Sequence, residues 1–196
     1  EEAQKVIETG EGDMKEEVLT MHNLAQTLRK ERFRKGAIAF SRREAKFHLD
    51  EKGKPTGVYF KVQKEANQLI EEFMLLANRR VAEFCAKAHG KERTMIFRVH
   101  DVPNSDKFER FRSFILRFGH IFKSPIDKGN AAAKELNKLL ASIKGKAEEN
   151  VVSTLAIRSM AKAVYTTDNI GHYGLAFPYY THFTSPIRRY PDMMVH

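Results

Sequence analysis

From Asp13 the apolar residues Met14, Val18, Met21, Ala25 and Leu28 recur at steps of 4, 3, 4 and 3, one stripe of an amphipathic helix that Gly36 ends. Beyond Gly36 the period shortens. Residues 37–40, 46–49 and 58–62 read as short strands, and Asp50-Glu51-Lys52-Gly53-Lys54-Pro55 is a turn-rich hairpin connection between the last two. A second long helix is predicted over 64–88, with Ala66, Ile70, Phe73, Ala77, Val81 and Phe84 on its main stripe. Leu69, Leu75 and Leu76 lie on its other faces, as expected of a central element. Residues 94–100 alternate weakly as a strand closed by Pro103, and helices follow over 106–118, 131–143 and 147–164. Core candidates in the last are Val151, Leu155, Met160 and Val164. The sum is a mixed α/β domain, rich in helix, with a small antiparallel sheet.

Composition narrows the function classes. The 196 residues suit about one domain, and 42% apolar residues exclude a disordered chain. Lys plus Arg number 34 against 25 Asp plus Glu, a surplus of nine charges that makes an anionic partner plausible. The longest apolar run, residues 73–77, is five long, whereas a membrane span needs about 20, so no membrane partner is expected. The opening Glu1-Glu2-Ala3-Gln4-Lys5 has no secretory pattern and Cys85 is the only cysteine, so a cytoplasmic location is expected. The chain starts on Glu and stops at His196 inside a patterned stretch. It is expected to be a piece of a longer protein, with cut apolar surface that favours self-association.

Three features are candidates for chemistry. Residues 29–43 hold seven basic side chains against one acidic, either a solvated helix end complementing its dipole or part of an anion site. Glu71, Glu72, Asn78 and Arg79 project away from the main stripe of the second long helix. The two carboxylates are either a surface pair or groups that meet cations or a ligand.

The third feature is GHYGLAFPYYTHFTSPIRRYPDMMVH, residues 171–196. Pro186 suits a first helical position, with Ser185 or Thr184 as its cap, and Arg188 then falls in the first turn. Cations are disfavoured there by the dipole, so two successive arginines make sense if a phosphate is bound between them and the helix. Pro191 cannot continue that helix, so a short turn and a new helix near Pro191 are expected. His172, Tyr173, Phe177, Tyr179, Tyr180, His182, Phe183 and Tyr190 supply rings for stacking on bases or for a sheet core. His172 and His182 lack metal-ligand spacing, and Ser185 with His182 is too local for a nucleophilic pair.

The stretch from His172 through Tyr180, Phe183-Thr184-Ser185-Pro186-Ile187-Arg188-Arg189-Tyr190, Asp192 and His196 resembles the signature of the RNB (ribonuclease II) family of processive 3′ to 5′ exoribonucleases, most closely its bacterial ribonuclease R branch. Leu69-Ile70-Glu71-Glu72-Phe73-Met74 with Ala77-Asn78, Arg34-Lys35-Gly36-Ala37-Ile38-Ala39-Phe40, and Phe97-Arg98-Val99-His100-Asp101 are similar to three further family segments, in family order. The resemblance implies an enzyme that hydrolyses single-stranded RNA from its 3′ end to nucleoside 5′-monophosphates. It implies Arg188 at the scissile phosphate, Glu72 near the terminal ribose with Glu71 as the competing register, and Phe40 stacked on the last base. Arg189 and Tyr190 are further substrate-binding candidates.

The family also implies Mg²⁺ held by a D-x-D-D type segment. Here Asp13, Asp50, Asp101, Asp106, Asp127, Asp168 and Asp192 stand singly. The metal ligands are therefore expected upstream, and the chain is expected to be the carboxy-terminal part of an RNB catalytic domain, without the family's cold-shock-like and OB-fold domains. Alone it is expected to be inactive, and its parent a monomer. A catalytically dead RNB relative that only holds RNA, and a generic basic scaffold, are the competing readings.

Overall fold

The computed structural model describes residues 1–40, 44–61, 63–87, 94–125 and 129–196. Arg42 and Arg43 of the basic run, Val62, Ala88 and Asp127 lie outside the described residues. The chain forms two units, Glu1–Thr27 with Ser41–Glu72, and Leu28–Phe40 with Phe73–His196.

The first unit contains α1 (Glu2–Thr9), the opening of α2 (Lys15–Arg34), the hairpin β1 (Glu44–Leu49) and β2 (Pro55–Lys61), and the opening of α3 (Glu65–Lys87). The hairpin is antiparallel, with Phe47 opposite Val58 and a register shift at His48/Leu49. Its turn is shaped by Asp50, whose carboxylate accepts the Lys52 and Lys54 amides at 2.9 and 2.8 Å, while Gly53 takes a φ of 77° that disfavours any side chain. Buried Gln4 of α1 accepts the Ala66 amide at 2.9 Å and so caps the start of α3. The short helix α1 has only Val6 and Ile7 as bulky apolar residues and gives no periodic signal in the sequence.

The second unit holds β3 (Phe97–Val99), α4 (Ser105–Leu116), α5 (Gly129–Ser142), α6 (Glu149–Ser159), β4 (Val164–Thr166) and α7 (Tyr190–Val195). Its main core is helical. Phe108, Phe111 and Ile115 of α4 pack with Leu136 of α5, Ile143, and Val152 and Ala156 of α6. Asn104 caps α4 through the Lys107 amide at 3.0 Å. The smaller sheet pairs β3 with β4 antiparallel, Arg98 opposite Tyr165.

Three expectations are corrected. Residues 37–40 are not a strand. Their polar groups go to Asn137, which accepts the Ala39 amide and donates to the Ala37 carbonyl, both at 2.8 Å, and to Gly174, whose carbonyl accepts the Ile38 amide. Helix α6 ends at Ser159 instead of residue 164, because the Ser159 hydroxyl turns back on the Ala156 carbonyl at 2.7 Å and Met160 is extended. Val164 lies in a strand and is half exposed, and Val152 replaces Val151 in the core. On α3 the buried stripe is Leu69, Glu72, Leu75, Asn78, Ala82 and Ala86, whereas the predicted Ile70 and Phe84 are 56% and 72% exposed. The helix thus turns two polar side chains inward.

Candidate functional site

The segment 171–182 is laid along β3 by backbone bonds. The Arg98 amide donates to Tyr180, the His100 amide to Gly171, and the Tyr173 amide to the His100 carbonyl, at 2.7 to 3.0 Å. The buried Thr181 hydroxyl donates to the Ile96 carbonyl at 2.6 Å. Along this seam the rings of Tyr165, His182, Tyr180, His172, His100 and Tyr173 follow one another at centroid spacings of 5.0 to 6.1 Å. The Arg98 guanidinium caps the outer end, 4.5 Å from the Tyr165 ring centroid.

The three histidines of this seam are held neutral. Burial, and then the neighbouring His100, pushes His172 down to about 3, while burial and the adjacent Arg189 push His182 down to about 4. His100 is also lowered, chiefly by burial, and both of its ring nitrogens are used. Nδ1 accepts the Gly174 amide at 3.0 Å, so the proton sits on Nε2, which faces the Ala161 carbonyl at 3.0 Å. His182 Nδ1 and the Tyr165 hydroxyl share a hydrogen bond of 2.6 Å.

Beyond His182 the chain leaves the sheet, and two buried side chains take over. Asn78 of α3, 3% exposed, accepts the Phe183 and Thr184 amides on its Oδ1 at 3.0 and 3.2 Å. Its amide nitrogen donates to the Tyr180 hydroxyl at 3.2 Å. Asp192, fully buried, accepts on Oδ1 both the Ser185 amide at 2.8 Å and the Arg189 guanidinium at 2.7 Å. Between these anchors Pro186, Ile187 and Arg188 form a turn, closed by the Arg188 and Arg189 amides on the Ser185 carbonyl. Pro186 therefore starts a turn and not a helix. The helix, α7, begins at Tyr190 with Pro191 in its first turn, where a proline lacks no needed donor.

The two arginines sit differently. Arg188 is exposed, and its one side-chain hydrogen bond among the described residues is a long one, 3.4 Å to the Ser185 hydroxyl. Arg189 is only 21% exposed and ion-paired to Asp192. Tyr190 is 67% exposed at the start of α7. Phe40 is half-buried against the α4–α6 core, with no hydrogen bond or ring contact to the Arg188 turn among the described residues. Glu72 belongs to the first unit, on the buried face of α3, and the half-buried Glu71 beside it accepts from Gln63 at 2.6 Å. The structure thus gathers Arg188, Arg189 and Tyr190 with Asn78 and Asp192, both present in the motifs that the sequence singles out but given no role there. Asp192 stands three residues past Arg189 and seven past Ser185, a spacing whose meaning depends on the turn being known.

Residues 1–196, the whole chain, match the RNB domain. The chain belongs to the RNB family. It is 41% identical over 179 residues to ribonuclease R 1 of Lactococcus lactis, covering 91% of this chain and 21% of that protein. Ribonuclease R of Escherichia coli is 37% identical over 177 residues, with 90% of this chain and 21% of that protein covered. Among solved structures, Mycoplasma genitalium RNase R in complex with ribose-methylated single-stranded RNA superimposes with a TM-score of 0.86 at 25% identity, over 98% of this chain and 30% of that one. The chain therefore spans about a fifth of the length of the curated relatives it matches.

Among the described residues no three His, Cys, Asp or Glu side chains gather in a way that would hold an ion. Nor, among those residues, is any helix long and apolar enough to cross a membrane. What the turn at 185–189 can do unaided is present a guanidinium to an anion.

Proposed function

We propose that the protein carrying this chain is a 3′ to 5′ exoribonuclease that acts processively on single-stranded RNA and releases nucleoside 5′-monophosphates. The observation that carries the reading is Arg188, whose guanidinium stands in solvent on a turn anchored from both sides. A guanidinium offers a planar fork of N–H donors that matches two phosphate oxygens. Water adds to phosphorus, the bond to the 3′ oxygen of the penultimate nucleotide breaks, and that oxygen leaves with a proton. The negative charge that builds on the phosphoryl oxygens is where Arg188 acts. The surplus of nine positive charges favours a polyanion over a neutral substrate. The reading further proposes Phe40 as a stacking surface for the terminal base, Glu72 as a ribose contact, and Mg²⁺ dependence supplied by residues outside 1–196.

A second reading is an RNB-type protein that binds RNA without cutting it, since an exposed Arg188 would serve phosphate binding as well as hydrolysis. The RNB fold is compatible with it, since yeast Ssd1, a pseudonuclease, superimposes with a TM-score of 0.68 at 23% identity over 99% of this chain and 24% of that one. One experiment separates the two. The full-length protein is incubated with Mg²⁺ and an RNA labelled throughout its length, with a free or a blocked 3′ terminus. The exonuclease reading requires nucleoside 5′-monophosphates from the free terminus alone. Retention of RNA with no mononucleotide released supports the binding reading.

A further inference from the structure

We propose that Asn78 and Asp192 are positioning residues that fix the turn at 185–189, and that the paired arginines divide the work, Arg188 for the substrate phosphate and Arg189 for holding Asp192. This rests on the reading of Arg188 as a phosphate ligand.

Each anchor has a residue-specific reason. The Asn78 side chain is the only type of its size that both accepts two amides on one atom and donates on the other. The acceptor holds Phe183 and Thr184, and the donor meets the Tyr180 hydroxyl, which is itself fixed over the sheet by its backbone. Aspartate would keep the acceptor but lose the donor and bury a charge. Asp192 closes the other side of the turn, and its ion pair is what makes a buried carboxylate tolerable there. Arg189 is spoken for by that pair, so its second guanidinium edge is turned inward, with Nε buried and unbonded among the described residues. Arg188 carries no such duty. Two successive arginines, equivalent in sequence, therefore differ in what they can offer a ligand. The anchors act on the ligand only by setting where Arg188 stands.

A residue that works only through Arg188 should have no effect once Arg188 is gone. In the full-length enzyme, D192N, N78S and R188A are made singly, and R188A is combined with each of the other two. The rate of mononucleotide release from oligoadenylate is measured with KM, affinity and melting temperature. D192N and N78S are expected to lower kcat by about 100-fold with KM changed less than about threefold, the cost of misplacing a catalytic group by about an ångström. Adding either to R188A should cost less than about threefold more. Multiplicative losses in both double variants overturn the proposal, as does full activity of D192N and N78S beside a crippled R188A. Unfolding of both single variants at the assay temperature also counts against it, since it assigns the anchors to the fold. R189K, which keeps the charge on Asp192, is expected to retain at least a third of kcat, while R188K loses at least tenfold. The reverse order would exchange the roles of the arginines. No release by wild type instead defeats the exonuclease reading, and full activity of R188A defeats the reading of Arg188 as a phosphate ligand on which the proposal stands.

Discussion

The carboxylate of Asp192 accepts the backbone amide of Ser185 at 2.8 Å across a turn of the chain, and does so while fully buried. That bond, with the Asn78 anchor on the preceding residues, makes the intervening Pro186-Ile187-Arg188 an outward loop. Ile187 at its tip is entirely exposed, so an apolar side chain is spent on no packing while Arg188 beside it reaches solvent. A fold that gives away a buried isoleucine here while burying an asparagine and an aspartate has its polar anchors organised around the loop's shape.

The helical core and the loop should respond oppositely to truncation. Leu136, 1% exposed in α5, contacts the α4 and α6 side chains, so Leu136→Ala is expected to cost about 2 to 5 kcal/mol. Ile187→Ala should change stability by less than about 0.5 kcal/mol. Denaturant midpoints of the two variants in the full-length protein check this, and equal losses would contradict the packing described.

Acid should destabilise the domain through the histidine seam. His172 and His182 have native values near 3 and 4, below the ordinary 6.5 that the unfolded chain shows. Between those limits the unfolded state binds more protons, so stability is complete above about pH 6.5 and is lost as pH falls toward 4 and then 3. Replacing His172 with phenylalanine, which keeps the ring, is expected to flatten this slope. Unfolding free energies measured from pH 7.5 to 5 that stay level in the wild-type protein would rule the account out.

Much of the architecture is legible in the sequence because it follows period and punctuation. Helix α2 with its terminal Gly36, the hairpin turn at Asp50 and Gly53, α4 and α5 all carry local signals. Gly36 takes a φ of 102°, and a Cβ there would strike the Asn130 side chain, so its glycine is needed. The buried face of α3 was not legible, since a count of apolar positions follows Ile70 and Phe84 outward and is blind to Glu72 and Asn78. The arginine turn was half legible. Pro186 and Pro191 mark its ends, but its shape depends on Asn78, more than 100 residues away in sequence.

Residues 1–196 expressed alone are expected to release no mononucleotide from single-stranded RNA in the presence of Mg²⁺, because among the described residues no three metal-capable side chains gather. Metal-dependent release by the isolated segment, absent in an Arg188→Ala control, would show that its own residues complete a metal site.

The central claim is that Arg188 meets the phosphate under attack, and the most direct measurement compares turnover with affinity in Arg188→Ala of the full-length protein. The account predicts a kcat for mononucleotide release lower by about 100- to 1,000-fold, with the dissociation constant for single-stranded RNA within about threefold of wild type. Turnover within threefold of wild type would contradict it.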